Sequence, residues 1–135
     1  MNYPRFLLPL VVVAALIACT RPNPPKEGGV RSALGQLRSG LSIYYGDNEG
    51  VYPARLEDLI RPKYLTALPD SRLNEHPGPT GTRIVSGVKS ATDLESFMKD
   101  TGQWVYIFDS SSPFHGEVRV DCTHARDGKI PWRDY

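Results

Sequence analysis

"GQWVYIFDSSSPFHGEVRVDC", residues 102–122, decides how this chain is built. Its first apolar run, "WVYIF" (104–108), presents no charged position to either face, as a strand covered on both sides would. "EVRVDC" (117–122) alternates instead: Val118, Val120 and Cys122 share one face, and Glu117, Arg119 and Asp121 the other. The intervening "DSSSPFHG" suits a hairpin loop. A small antiparallel sheet is the expected centre of the fold, with Cys122 pointing inward as a small buried thiol.

Upstream, Val30, Leu34, Leu37, Leu41 and Tyr44 recur at intervals of 4, 3, 4 and 3. That spacing predicts an amphipathic helix from roughly Val30 to Tyr45, with Arg31, Gln36 and Arg38 outward and "GDNEG" ending it. In "YPARLEDLIRPKYL" (52–65), Pro53 opens a short helix, Leu56, Leu59 and Ile60 share its face, and Pro62 stops it. Residues 69–87 read as loop with a short strand at Arg83–Val85. Thr92 and Glu95 have the spacing of a capping box for a brief helix reaching Lys99. A turn at Asp127-Gly128 precedes Trp132 and Tyr135, which dock the tail. The expected fold class is α+β: a long N-terminal amphipathic helix packed on a small antiparallel β-sheet through an irregular αβ connection.

Length and charge narrow the function. A chain of 135 residues makes one domain, or one domain and an appendage. Its net charge of +1, from 16 basic and 15 acidic residues, leaves no surplus to neutralise phosphates. No nucleic acid is therefore expected as a partner, and charge would not recruit the chain to anionic lipid.

Membrane attachment is expected from another source. Arg5 precedes the uncharged run "FLLPLVVVAALIA", Phe6 to Ala18, which is too short for a spanning helix and contains Pro9. It reads as an export signal. Leu16, Ile17, Ala18 and Cys19 resemble the lipobox of bacterial lipoproteins. The resemblance implies cleavage between Ala18 and Cys19, a diacylglyceryl thioether on Cys19 and acylation of the new amine. Two or three acyl chains, palmitate among them, anchor a protein stably where one does not. Thr20 carries no retention signal of the aspartate type, which favours the outer over the inner membrane. "TRPNPPKEGG" (20–29) then serves as a polyproline-like tether. The expected organisation is a signal peptide at 1–18, lipidated Cys19 with its tether at 19–29, and a head at 30–135, lipid-anchored and facing the periplasm.

The head has its own resemblance. Within Ala33–Pro69 lie a helix ending in Tyr44 and Tyr45, then Gly50-x-Tyr52-Pro53-x-x-Leu56-x-x-Leu59, then Tyr64-Leu65-x-x-Leu68-Pro69. Gly102-x-Trp104-x-Tyr106 and Gly116-Glu117-Val118 follow. This order is similar to the globular head of type IV pilin-like proteins, especially type II secretion pseudopilins, over roughly Val30 to Tyr135. The family begins with a leader cut after glycine, a Phe-Thr-Leu-Ile-Glu box and a long apolar helix; residues 1–29 follow the lipoprotein pattern instead. The resemblance implies a pilin-like head carried on a lipid anchor, with secretion or pilus machinery proteins as partners.

Chemistry-bearing motifs are sparse. His76, His115 and His124 fall in separate loop-like stretches, and Cys122-x-His124 lacks companions at structural-zinc spacing. No nucleophile elbow, Walker loop, dinucleotide fingerprint or H-E-x-x-H helix occurs. The pseudopilin resemblance brings calcium into view, with Asp121, Asp127 and Asp134 as candidate oxygens. Their spacing fits no EF-hand, and surface turns account for them better. Neither a cofactor nor a catalytic residue is expected. Contact is the expected mode of action, with Tyr44, Tyr45, Tyr52 and Trp132 as candidate surfaces, although core packing explains most of them equally well. The alternatives are an envelope lipoprotein module that binds a small ligand or envelope component, and a hydrolase using loop His and Asp.

Overall fold

The computed structural model describes residues 27–78, 80–126 and 128–135. The expected cleavage and lipidation positions Ala18 and Cys19, the tether up to Lys26, and Asp127 lie outside the described residues. Helix α1 runs Glu27–Asp47, followed by a one-turn 3-10 helix at Leu56–Leu59. Next come β1 (Thr82–Val85), α2 (Ala91–Phe97), β2 (Trp104–Ile107) and β3 (Val118–Val120). A two-stranded ribbon of β4 (Ala125–Arg126) and β5 (Ile130–Pro131) and a 3-10 turn at Trp132–Asp134 complete the chain.

Among the described residues the fold is mixed α and β, with two α-helices and a small sheet of order β1-β2-β3. Its β2 and β3 are antiparallel, Trp104 opposite Val120 and Tyr106 opposite Val118. The entirely antiparallel sheet expected above is corrected by β1, which runs parallel to β2 from Thr82 opposite Trp104 to Val85 opposite Ile107. Parallel neighbours need a crossover, and α2 supplies it between β1 and β2. Four residues of strand carry no mark of direction, so only the route through α2 fixes it.

β2 explains why the run is apolar through 107; Phe108, expected to be covered with it, lies beyond the strand and is 37% exposed. All four strand residues are fully buried. Their alternation splits them between two cores: Trp104 and Tyr106 join Val30, Leu34, Leu37, Leu41, Val118 and Val120, whereas Val105 and Ile107 join Val85, Val88 and Leu94. Two polar handles tie this strand to distant loops. The Tyr106 hydroxyl donates to Pro53 O at 2.7 Å, and Trp104 Nε1 donates to Pro69 O at 2.8 Å.

The stripe of α1 is buried as its spacing predicts, with Val30 and Leu37 fully covered. The expected placement of this helix is corrected, however. It is an internal element that includes Glu27–Gly29, residues assigned above to the tether, and its neighbours are chiefly β3 and the Leu56–Leu59 turn rather than the breadth of the sheet. No helix among the described residues is long and apolar enough to cross a membrane.

Three local expectations also change. Ile60 does not share the face of Leu56 and Leu59; it is 46% exposed while they are buried, because the segment closes after a single 3-10 turn. The N-cap of α2 is Ser90, whose hydroxyl accepts from Asp93 N at 3.1 Å, not Thr92. Asp121 is buried, because β3 ends at Val120 and the strand alternation stops with it.

Candidate functional site

Beyond β3 the ladder with the residues before β2 continues irregularly: Asp121 N donates to Gln103 O, and Gly102 N donates to Asp121 O at 2.7 Å. This places the turn 99–102 beside residues 121–124. The tail holds the same segment from the other side, with Arg133 N donating to Cys122 O and Trp132 N to His124 O, each at 3.1 Å.

Four side chains meet there. The ligand-type atoms of His76, Asp100, Cys122 and His124 all lie within 4.8 Å of one another. His76 Nε2 is 3.3 Å from Asp100 Oδ1, and His124 Nδ1 is 3.6 Å from the same oxygen. Cys122 Sγ is 3.5 Å from His124 Nδ1. The two imidazole rings meet edge to face, with centroids 5.1 Å apart. Cys122 and His76 form the covered floor, at 0% and 11% side-chain exposure for thiol and ring; Asp100 and His124 form the mouth, at 37% and 48%.

Backbone conformation positions this group. Asp100 sits in the left-handed region at φ +59°, which aspartate tolerates better than most residues, and its Oδ1 accepts from Thr123 N at 2.8 Å. Gly102, at φ +73°, lies against His76; a Cβ there would stand 2.4 Å from the His76 Cβ. The ring of His76 can therefore reach the cluster only past a glycine. Its Nε2 is buried and has no hydrogen-bond partner, because the approach to Asp100 lacks hydrogen-bond geometry.

Electrostatics sets the resting state of these groups. Burial pushes the Cys122 thiol up to about 11, and the charges of Asp100, Glu75 and Asp121 add to the effect. A raised thiol resists ionisation, so the thiolate that a nucleophile or a metal ligand requires forms only when a bound cation draws it out. For Asp100, burial raises the carboxyl, but the Thr123 hydrogen bonds and the two histidines outweigh it and hold it below the usual carboxylate range. The group offers nitrogen, sulfur and oxygen atoms of the kinds that bind transition metals.

The residues expected from sequence fare differently. Cys122 is inward and free, and it belongs to the cluster with His124. His76 and Asp100 were missed as companions, since each sits in a turn at no regular spacing from Cys122. His115 lies apart and accepts from Asp109 N through Nδ1. Of the calcium candidates, Asp121 is taken up by the fold: its carboxylate accepts from Lys99 N (2.8 Å), Asp100 N (3.1 Å), the Thr101 hydroxyl (2.7 Å) and Arg83 (3.0 Å). Asp134 is half-exposed beside Arg133, and neither residue belongs to the cluster. Trp132 is 1% exposed and is core rather than contact surface; Tyr45, 42% exposed, is accessible and packs on Tyr52 with ring centroids 4.5 Å apart.

Compared with family models, curated proteins and solved structures, the chain finds no match in any of the three.

Proposed function

We propose that this chain is a lipid-anchored envelope protein whose pilin-like head acts by protein–protein contact in a secretion or pilus machine and catalyses no reaction. One observation carries the head assignment: the scattered motifs that resemble pseudopilins converge on one another. Tyr106 bonds to Pro53, Trp104 bonds to Pro69, and Gly116 lies so close to the Tyr52 ring that a Cβ would stand 2.4 Å from it. Segments far apart in sequence thus meet in one core, as the parts of a single head would.

The anchor rests on the Leu16-Ile17-Ala18-Cys19 box and the proline tether that follows it. Tyr45, with Arg38, Glu117 and Arg119, borders a groove of about 470 Å³ between α1 and β3, where a partner could be held by aromatic and ionic contacts. Metabolic palmitate labelling tests the anchor: the native chain takes up label, and Cys19→Ala does not and leaves the membrane fraction. An unlabelled native chain ends the anchor proposal. A photo-crosslinker at Tyr45 is expected to capture secretion or pilus components in cells that make them; silence there, with the chain correctly anchored, ends the contact proposal.

A further inference from the structure

The cluster of His76, Asp100, Cys122 and His124 has the dimensions of a coordination shell. Bonds of about 2.0–2.1 Å to nitrogen or oxygen and about 2.3 Å to sulfur, arranged tetrahedrally, place neighbouring ligand atoms about 3.3–3.6 Å apart. Three of the six separations here match: 3.3 Å (His76 Nε2 to Asp100), 3.6 Å (His124 Nδ1 to Asp100) and 3.5 Å (Cys122 to His124); the other three lie within 4.8 Å.

Two further features point the same way. The buried Nε2 of His76 has no hydrogen bond, and a buried polar atom left so costs about 1–3 kcal/mol unless a ligand takes it up. Asp100 Oδ1 is oriented by the Thr123 amide, as ligating carboxylates commonly are by a hydrogen bond behind them. A mixed nitrogen, sulfur and carboxylate set suits zinc better than calcium or magnesium, which want oxygen alone.

We infer that His76 Nε2, Asp100 Oδ1, Cys122 Sγ and His124 Nδ1 bind one zinc ion in a tetrahedral site. On binding, a sulfur–zinc bond replaces the sulfur–hydrogen bond and the proton leaves to solvent; nothing is oxidised or reduced. One thiolate and one carboxylate then balance the two positive charges, with imidazoles as neutral ligands. Four protein ligands close the shell, so the ion is structural: it clamps the loop bearing His76 and the turn bearing Asp100 onto the segment after β3.

The test uses the full chain in detergent, stripped with a chelator and titrated with Co²⁺ and then Zn²⁺. The expected result is visible cobalt bands of tetrahedral type, with sulfur-to-cobalt charge transfer in the near ultraviolet, both erased by zinc. Cys122→Ser abolishes the charge-transfer band. His124→Ala, at a half-exposed position where the fold survives, weakens binding on the order of 100-fold. His115→Ala, outside the cluster, binds as the native chain does. Absence of the sulfur band in the native chain, or native-like titration of His124→Ala, overturns the site and leaves Cys122 and His124 as a thiol–imidazole pair. Palmitate labelling reads the anchor independently, so either proposal can fail alone.

Discussion

Asp121 and Asp100 touch, yet their carboxylates serve opposite ends. Asp100 gives its own amide to Asp121 Oδ1, and Asp121 collects further donors from Lys99, Thr101 and Arg83 in a fully buried position. Asp100 turns its carboxylate the other way, to the Thr123 amide and two histidines at a half-open mouth. Burial raises both groups, and hydrogen bonds outweigh it in both, so both are held below the usual range. The difference lies in what faces each carboxylate. Around Asp121 amides, a hydroxyl and an arginine supply the compensation; around Asp100 the Thr123 hydrogen bonds supply most of it, and two histidines that a metal can also use add the remainder. A carboxylate saturated by amides and an arginine is a fastener, whereas one facing unpaired imidazole nitrogen is a candidate ligand.

The largest expected effect tests the fastener. Asp121→Ala leaves two amides, a hydroxyl and part of a guanidinium unpaired beneath the loop. Stability should fall by about 3 kcal/mol in urea unfolding. A loss below about 1 kcal/mol would show that water replaces the carboxylate and would break the contrast with Asp100. Gly102→Ala comes next. The left-handed backbone and the 2.4 Å approach to His76 together should cost about 2 kcal/mol and weaken zinc binding with it. Unchanged cobalt spectra in that variant would mean that His76 reaches the cluster by another path.

Asp100→Asn should do much less without metal. Asparagine tolerates the left-handed backbone and keeps an acceptor for Thr123, so about 0.5 kcal/mol is expected, again in urea. Its effect should appear instead as loss of the thermal stabilisation conferred by added zinc. The smallest effect belongs to a third carboxylate. Asp109 accepts from Gly87 N, Ser111 N and the Ser111 hydroxyl at the surface, which lowers it to about 2, the Ser111 side-chain bond first. A depressed folded value stabilises the protein above the unfolded value of about 3.9, and the contribution is lost as pH falls towards 2. Asp109→Asn should slightly flatten the acid limb of the stability profile; an unaltered limb would mean that these bonds persist in the unfolded chain.

Much of the scaffold is legible in short windows. The 4-3-4-3 spacing from Val30 to Tyr44 marks α1 because a helix turns by a constant angle, and the runs at 104–107 and 118–120 mark strands because side chains alternate. Cys122 is inward as the alternation suggested and Asp121 is not outward; both lie past the strand, which ends at Val120, and the irregular backbone there buries the two together. For the cluster, only Cys122-x-His124 is visible in the linear chain. His76 and Asp100 sit in turns whose spacing to Cys122 has no period, and the room for His76 depends on a side chain that Gly102 lacks.

The amino-acid order alone pointed to α1, to strands within 104–108 and 117–122, and to an inward Cys122; it did not mark the β4–β5 ribbon or the exposure of Phe108. The features it pointed to are consequences of local period and apolarity. Tertiary structure alone decided that β1 runs parallel to β2, that Asp121 is locked beneath a turn, and that two distant residues complete a four-ligand group. Those outcomes depend on crossover geometry and on the meeting of loops, where hydrogen bonding and steric room act between residues that share no local pattern.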